Sequence, residues 1–474
     1  MNLTPQREIF FKKSHNNIYR VFLWVLLIAA GGYVARGLLT GTVRSPLEPT
    51  PTPTRTSNSY ALEGDSNFTA GKLEDAITAY QEALEVDPSN AVIWTKLARI
   101  QVYSSNLLTT DDERRTRLQE ALASADKAVE LAPEDSTAHA IRAMALDWNA
   151  APTYVGDEVQ AYLTRADQEV VRALSLDNQN TLALALYAEI LTDQQKLAQA
   201  QANIEQALAA DPGLMDVHRV YAYLLESQSL YRQAIEEYDK AIEINPNLTF
   251  LHLRAGAIYR HLAQQSGDVN DPLYDQALDY FEKAARLNEQ LGIRDPIPFL
   301  SIAKTYTQKG EFFIAGRNVL KALSYDQANP DVYGQLGIVY FKSRNYEGSM
   351  SALQCAVRGC TPEESCEARS GCDEEAGEVG MRVEPLPLTA NTVVYYYTYG
   401  SVLAALSRPN QNYCPQAMDV FRDVKAQFSD EPIASGIVAA GESICNSLAS
   451  GVSLSTPTPE APMAEGTETP TPQP

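Results

Sequence analysis

The chain has 474 residues, and its 38 Lys and Arg against 60 Asp and Glu leave a formal net charge of −22. That balance excludes a nucleic-acid binder, which needs a basic face for phosphate contacts. It suits a soluble protein with solvated acidic helix faces.

In chain order, the first element is apolar. Within YRVFLWVLLIAAGGYVARGLL the run from Val21 to Ala35 is uninterrupted, and a weaker stretch continues past Arg36 to Val43. Residues 21–43 are read as a transmembrane signal anchor, with Arg36 snorkelling to extend a span that needs about 20 residues. Arg7, Lys12, Lys13 and Arg20 precede it and basic residues are sparser afterwards. Residues 1–20 are therefore placed in the cytoplasm, with the bulk of the chain outside a single-pass cell membrane anchor. The rival reading is a signal peptide with its apolar region at Val21 to Ala30, leaving a secreted protein. The long basic region and the lack of a clean A-x-A site favour the anchor. Residues 44–57 and 451–474 are rich in Pro and Thr. Pro at alternate positions removes backbone donors, so these read as a spacer and a disordered tail, open to glycosylation.

Between them one pattern recurs. AITAYQEALEVDP sets Ala76, Tyr80, Ala83 and Pro88 at A-x3-Y-x2-A-x4-P, and Ala234, Tyr238, Ala241 and Pro246 keep the same offsets. Pro212 and Pro246 are 34 residues apart, the period of a two-helix repeat. Small residues let paired helices approach, the ring fills the gap to the next pair, and Pro forces the turn. One pair cannot bury its apolar stripe, so stacking must supply the core.

These residues, with Trp94, Leu97 and Ala98, and Tyr333, Leu336, Gly337 and Tyr340 on first helices, make the chain resemble the tetratricopeptide-repeat family. The likeness runs roughly from residue 57 to 429. It implies an all-α, right-handed solenoid of about nine helix pairs, preceded by the one transmembrane helix. Repeats 1–8 occupy 58–359, an acidic Cys-containing insert 360–390, and a degenerate ninth repeat with a capping helix 391–450. Pro88 to Pro133 and Pro133 to Asn178 each span 45 residues rather than 34. The excess is read as longer helices in repeats 2 and 3, shared between both helices of a pair and started by a Thr cap in TTDDERR. SGDVNDP in repeat 6 reads as a loop.

No phosphate loop, HExxH or G-x-S-x-G occurs, and little sequence is left for a catalytic domain. The chain is read as non-enzymatic, with no cofactor, no metal and no small-molecule substrate expected. His139, His218 and His252 fall where the repeat usually has Trp, Leu or Tyr, and read as core-edge residues. Cys355, Cys360, Cys366, Cys372, Cys414 and Cys445 are clustered and even in number, which suits disulfides in an oxidising compartment. Cys414–Cys445 is expected to clamp the cap and the other four to staple the insert, although six cysteines leave many pairings open. Zinc is the alternative, ill matched by spacings wider than C-x2-C.

The resemblance also implies a concave face lined by first helices, with a protein or peptide partner. Counting the second, fifth, ninth and twelfth or thirteenth positions gives Arg219, Tyr223, Glu226, Phe250, Arg260 and Lys304, with Arg254 beside them. This basic and aromatic cluster suits an acidic or C-terminal peptide, and it reads equally as solvated helix faces. Ala61, Asp65, Thr95 and Arg99 stand where some members carry a Lys/Asn clamp for chaperone C-termini, so that partner is not expected. The functional expectation is a binding scaffold tethered to the outer membrane face. The alternative is a chaperone-like assembly or maturation factor for envelope proteins.

Overall fold

In the computed structural model the described residues are 17–39, 55–372, 375 and 379–450. Most of the segment read as cytoplasmic, before residue 17, most of the stretch read as a Pro/Thr spacer, part of the acidic insert and residues from 451 on lie outside them. The chain divides at Arg55 and Thr56 into two compact parts.

The first part contains α1, Ile18–Leu39, whose start is set by Asn17 accepting from the Tyr19 amide. It therefore begins before the expected Val21, and the expected end at Val43 lies outside the described residues. Its described side chains are almost all exposed, and Ile18–Gly37 is long and apolar enough to cross a membrane. A signal sequence near an N-terminus has the same properties.

The second part is all helical apart from isolated bridges among the described residues. Its helices pair in order. Repeat 1 is α2 (Ser57–Thr69) with α3 (Leu73–Val86), and repeat 2 is α4 (Ala91–Ser104) with α5 (Asp111–Leu131). Repeat 3 is α6 (Ser136–Asn149), the short α7 (Pro152–Val155) and α8 (Val159–Leu176). Repeat 4 is α9 (Thr181–Asp193) with α10 (Leu197–Ala210), and repeat 5 is α11 (Met215–Ser227) with α12 (Tyr231–Ile244). Repeat 6 is α13 (Thr249–Ser266) with α14 (Leu273–Leu291), and repeat 7 is α15 (Ile297–Gln308) with α16 (Phe312–Tyr325). Repeat 8 is α17 (Pro330–Lys342) with α18 (Tyr346–Arg358), followed by the insert helix α19 (Pro362–Ala368). Repeat 9 is α20 (Val393–Leu406) with α21 (Cys414–Phe428), and α22 (Pro432–Ala449) caps it. The first helix starts inside the stretch read as spacer, because Thr56 accepts from the Ser59 amide and caps it.

The periodic residues do what their spacing demands. Ala76, Ala83, Ala234 and Ala241 are fully buried, with Tyr80 and Tyr238 between them. A Cβ at Gly64 would sit 2.6 Å from the Tyr80 ring, and one at Gly256 would sit 2.6 Å from Phe281. The missing side chain on the first helix is thus the socket for the ring on the second.

The same first-helix position closes the turn between repeats. Trp94 Nε1 donates to the Pro88 carbonyl at 2.9 Å, and the Nε2 atoms of His139, His218 and His252 lie 3.0, 2.9 and 3.0 Å from the carbonyls of Pro133, Pro212 and Pro246. A carbonyl only accepts, so each of these histidines donates from a protonated Nε2, and His139 and His218 also meet Glu169 and Glu237 through Nδ1 at 2.7 Å. They are turn fasteners that stand in for Trp.

The extra residues of repeats 2 and 3 are not shared between helices. Both first helices keep 14 residues, while α5 has 21 and α8 has 18. The reason is local: Thr110 and Glu113 form a reciprocal capping box that starts α5 early, with three acids in its first turn. In repeat 6, Gly267 ends α13 in the left-handed conformation and residues 267–272 are a loop.

The cysteines form three disulfides, Cys355–Cys360, Cys366–Cys372 and Cys414–Cys445. The last ties α21 to the cap and the first two staple the insert. All six thiols are consumed, and among the described residues no three His, Cys, Asp or Glu side chains gather as a metal would require.

The solenoid turns tightly enough to touch itself. Asn247, after α12, donates to the Thr69 carbonyl at 3.3 Å. Asn329, which caps α17, donates to Thr109 at 2.7 Å, and Asn391 donates to both Asp111 oxygens at 2.9 and 3.0 Å. Repeats 1 and 2 therefore close over the inner face of the later ones.

Candidate functional site

First helices line the inner face. At its centre Tyr103, from α4, stacks on Phe250 of α13 with centroids 5.3 Å apart and meets Trp148 of α6 edge-on at 6.4 Å. The Tyr103 hydroxyl and Arg99 both donate to Asp216 of α11, which is fully buried. Burial and the Asp216 charge push the Tyr103 phenol far above its ordinary value, so it stays a donor.

The seven residues expected in the groove are placed as follows. Arg219 is only 5 % exposed and grips Glu189 with two bonds of 2.6 and 2.7 Å. Its guanidinium also lies over the rings of Tyr103 and Trp148 at 5.7 and 5.8 Å. Tyr223 donates to Asp193. Arg254 donates to Glu226 at 2.9 Å from a half-exposed position. Phe250 is buried in the ring stack. Arg260 donates to the Ser301 carbonyl at 3.2 Å and lies 5.2 Å from the Phe281 ring, and burial lowers its pKa to about 10. Lys304 is exposed, with its pKa lowered by partial burial and by Arg260 and Lys342.

The set therefore divides. Arg219, Tyr223, Phe250 and Arg254 surround one cavity, and Glu226 stands behind Arg254. Lys304 lines a second cavity between the start of α5, α17 and the segment before α20. The arginines of the first cavity are each paired with a glutamate, so the cluster is basic in composition but presents no surplus positive charge in space.

The first cavity measures about 430 Å³ and is walled by Trp148, Phe250, Tyr223 and Tyr238, with Val159 and Leu163 of α8 below. That size is within the usual range of ligand sites. Two carboxyls that the sequence count passed over also line it. Asp147 of α6 is 5 % exposed, its Oδ1 has no hydrogen-bond partner, and Asp193 of α9 stands beside it. Burial, then the charges of Asp193 and Glu189, push the Asp147 carboxyl well above its ordinary value. Burial also raises Asp193 to about 6, against the hydrogen bond from Tyr223 that holds it down. The positional count that selects Tyr223 and Glu226 falls on Asp147, Glu189 and Asp193 when carried back two repeats, so the signal was present there.

Two family models match the chain, one described as TPR repeat over residues 64–102 and one as tetratricopeptide repeat over residues 187–248. No curated protein matches it. Among solved structures it is similar to a thermophilic TPR protein of Thermus thermophilus, at 18 % identity and TM-score 0.36, covering 43 % of this chain and 98 % of that one. A tetratricopeptide-repeat protein from Parabacteroides merdae matches at 16 % identity and TM-score 0.34, over 60 % of this chain and 98 % of that one. The MamA protein matches at 21 % identity and TM-score 0.24, over 40 % and 91 %. With its repeating helix pairs and the two matching repeat models, this chain carries tetratricopeptide repeats.

Proposed function

We propose that this chain, a protein–protein interaction scaffold by virtue of its repeats, is held at the outer face of a cell membrane by α1 and binds a partner along its inner face. The observation that carries the binding proposal is the cavity of repeats 3–6, where charged and aromatic side chains from four first helices converge on a space that none of the described residues fills. The outside location draws support from the apolar α1 and from three disulfides, which persist in oxidising compartments. Partner contact then works through shape and charge complementarity, with no reaction implied.

The test is cross-linking of the full-length protein in its native membrane, followed by mass spectrometry. Arg254→Glu and Lys304→Glu run beside it, since both residues are exposed and their replacement leaves the core intact. One stoichiometric partner, mapped to the inner face and lost in the variants, is the expected result. Recovery of many clients in place of one would turn the reading towards a chaperone-like holder. Unchanged cross-linking in both variants would sink the inner-face reading.

A further inference from the structure

The charges around the first cavity do not cancel evenly. Arg219 is taken by Glu189 and Arg254 by Glu226. Asp147 and Asp193 are left over, and neither has a cation of its own within salt-bridge distance among the described residues. The Asp193 carboxylate receives the Tyr223 hydroxyl, while Oδ1 of Asp147 receives no donor. A buried carboxylate oxygen left without a donor is costly, by more than the loss of one hydrogen bond. A cation in the cavity offsets the charge of the pair and lowers that cost. The walls suit its stem, because Trp148, Tyr238 and Phe250 bring aromatic, apolar side chains to the lining. An anion is disfavoured, since each arginine already holds a glutamate, with only Nε of Arg219 left without an acceptor, and two surplus carboxyls repel it.

We propose that the cavity of repeats 3–6 is a receptor for one protonated amine or guanidinium on an apolar stem, with Asp147 and Asp193 holding the charge and the aromatic walls the stem. A Lys or Arg side chain of a protein partner and a free organic amine share this chemistry. The first source rests on the scaffold reading above, and the second stands without it.

The experiment is calorimetric titration of the full chain in detergent micelles. Phenethylammonium is compared with 2-phenylethanol, its neutral counterpart, and acetyl-Gly-Gly-Lys-Gly-Gly-amide with the same peptide acetylated on Lys. The cation is expected to bind at least about tenfold more tightly than its neutral counterpart in one pair or both. Preference in the peptide pair assigns the site to a partner's side chain, and preference for the free amine alone assigns it to a small molecule. Asp147→Asn is expected to remove the preference. Ala151→Trp, which adds bulk to the lining and leaves both acids in place, is expected to abolish binding and keeps the test decisive if the first variant fails to fold. No binding of any cation up to about millimolar concentration, equal binding of the neutral compounds, or an unaltered preference in Asp147→Asn overturns the proposal. A partner captured by cross-linking alongside such a result leaves the scaffold reading standing while this one falls.

Discussion

Tyr103 and Asp216 are 113 residues apart in sequence, yet the tyrosine hydroxyl donates directly to the aspartate carboxylate in the buried inner face. In an array where each repeat touches only its neighbours, stability is a sum of local terms and unfolding proceeds piecemeal. This contact links repeat 2 to repeat 5, with Arg99 on the same carboxylate and Phe250 stacked on the same ring.

Tyr103→Phe is therefore expected to cost about 1.5–3 kcal/mol, the worth of a buried hydrogen bond to a charged group. Asp216→Ala is expected to cost more, about 3–5 kcal/mol, because it strands Arg99. Both should lower the slope of urea unfolding as repeats 1 and 2 detach from the rest. A pair of variants with wild-type slopes and midpoints would show that the closure carries no stability.

Glycine substitutions separate packing from propensity. At Gly400 an added Cβ would lie 2.4 Å from the fully buried Phe421 ring, whereas at Gly436, exposed on α22, it meets nothing within 4 Å. Gly400→Ala should destabilise, since overpacking costs about 1–3 kcal/mol against about 1 kcal/mol of helix propensity gained. Gly436→Ala should stabilise by up to about 1 kcal/mol. Thermal melts of the two variants need only agree in sign for the socket argument to fail.

The repeats were legible because their signal is redundant. Ala76, Tyr80 and Ala83 predict one helix, but the same offsets at Ala234, Tyr238 and Ala241 predict an array. The cap of α5 was legible for a different reason: Thr110 and Glu113 act over three residues, within reach of local reading. The site was legible only by position. Arg219 could be placed on the inner face by counting, but its pairing with Glu189 depends on how adjacent repeats are angled, and its contact with Tyr103 on how far the superhelix closes. A 34-residue period encodes neighbours, and it says nothing about repeats that meet after several turns. The role of His218 as a Trp substitute was hidden likewise, since the carbonyl it fastens, Pro212, offers no side-chain signal.

The three disulfides should not be equivalent. Cys414–Cys445 closes a loop of 31 residues, against 5 and 6 for the other two. On a chain-entropy basis the long one contributes about 3–4 kcal/mol and each short one about 2 kcal/mol. The long bridge also spans two helices, so Cys414→Ser with Cys445→Ser should release α22 before any other helix. Hydrogen exchange would read this as protection lost across residues 432–449 while repeats 1–8 keep theirs. Loss of protection beginning in the early repeats would contradict it.

The Asp147 and Asp193 pair fixes the sign of a pH effect. Both carboxyls titrate above their ordinary value of about 4, Asp193 at about 6. Between those values the folded chain holds a proton that the unfolded chain has released, so stability falls as pH rises through this window. Glu189 adds to the effect by repulsion, while Arg219 opposes it and the Tyr223 hydroxyl opposes it at Asp193. His218 moves the same way: its bond to Glu237 raises its pKa, and the stability this brings is lost as pH climbs past the folded value. The difference between wild type and Asp147→Asn isolates the carboxyl pair from that background. The variant should melt at or below the wild-type temperature near pH 5 and gain on it towards pH 8, as Asp193 ionises beside Asp147 and Glu189 in the wild type. Melting curves that stay a constant interval apart from pH 5 to pH 8 would mean that the two carboxyls do not share a proton in the folded protein.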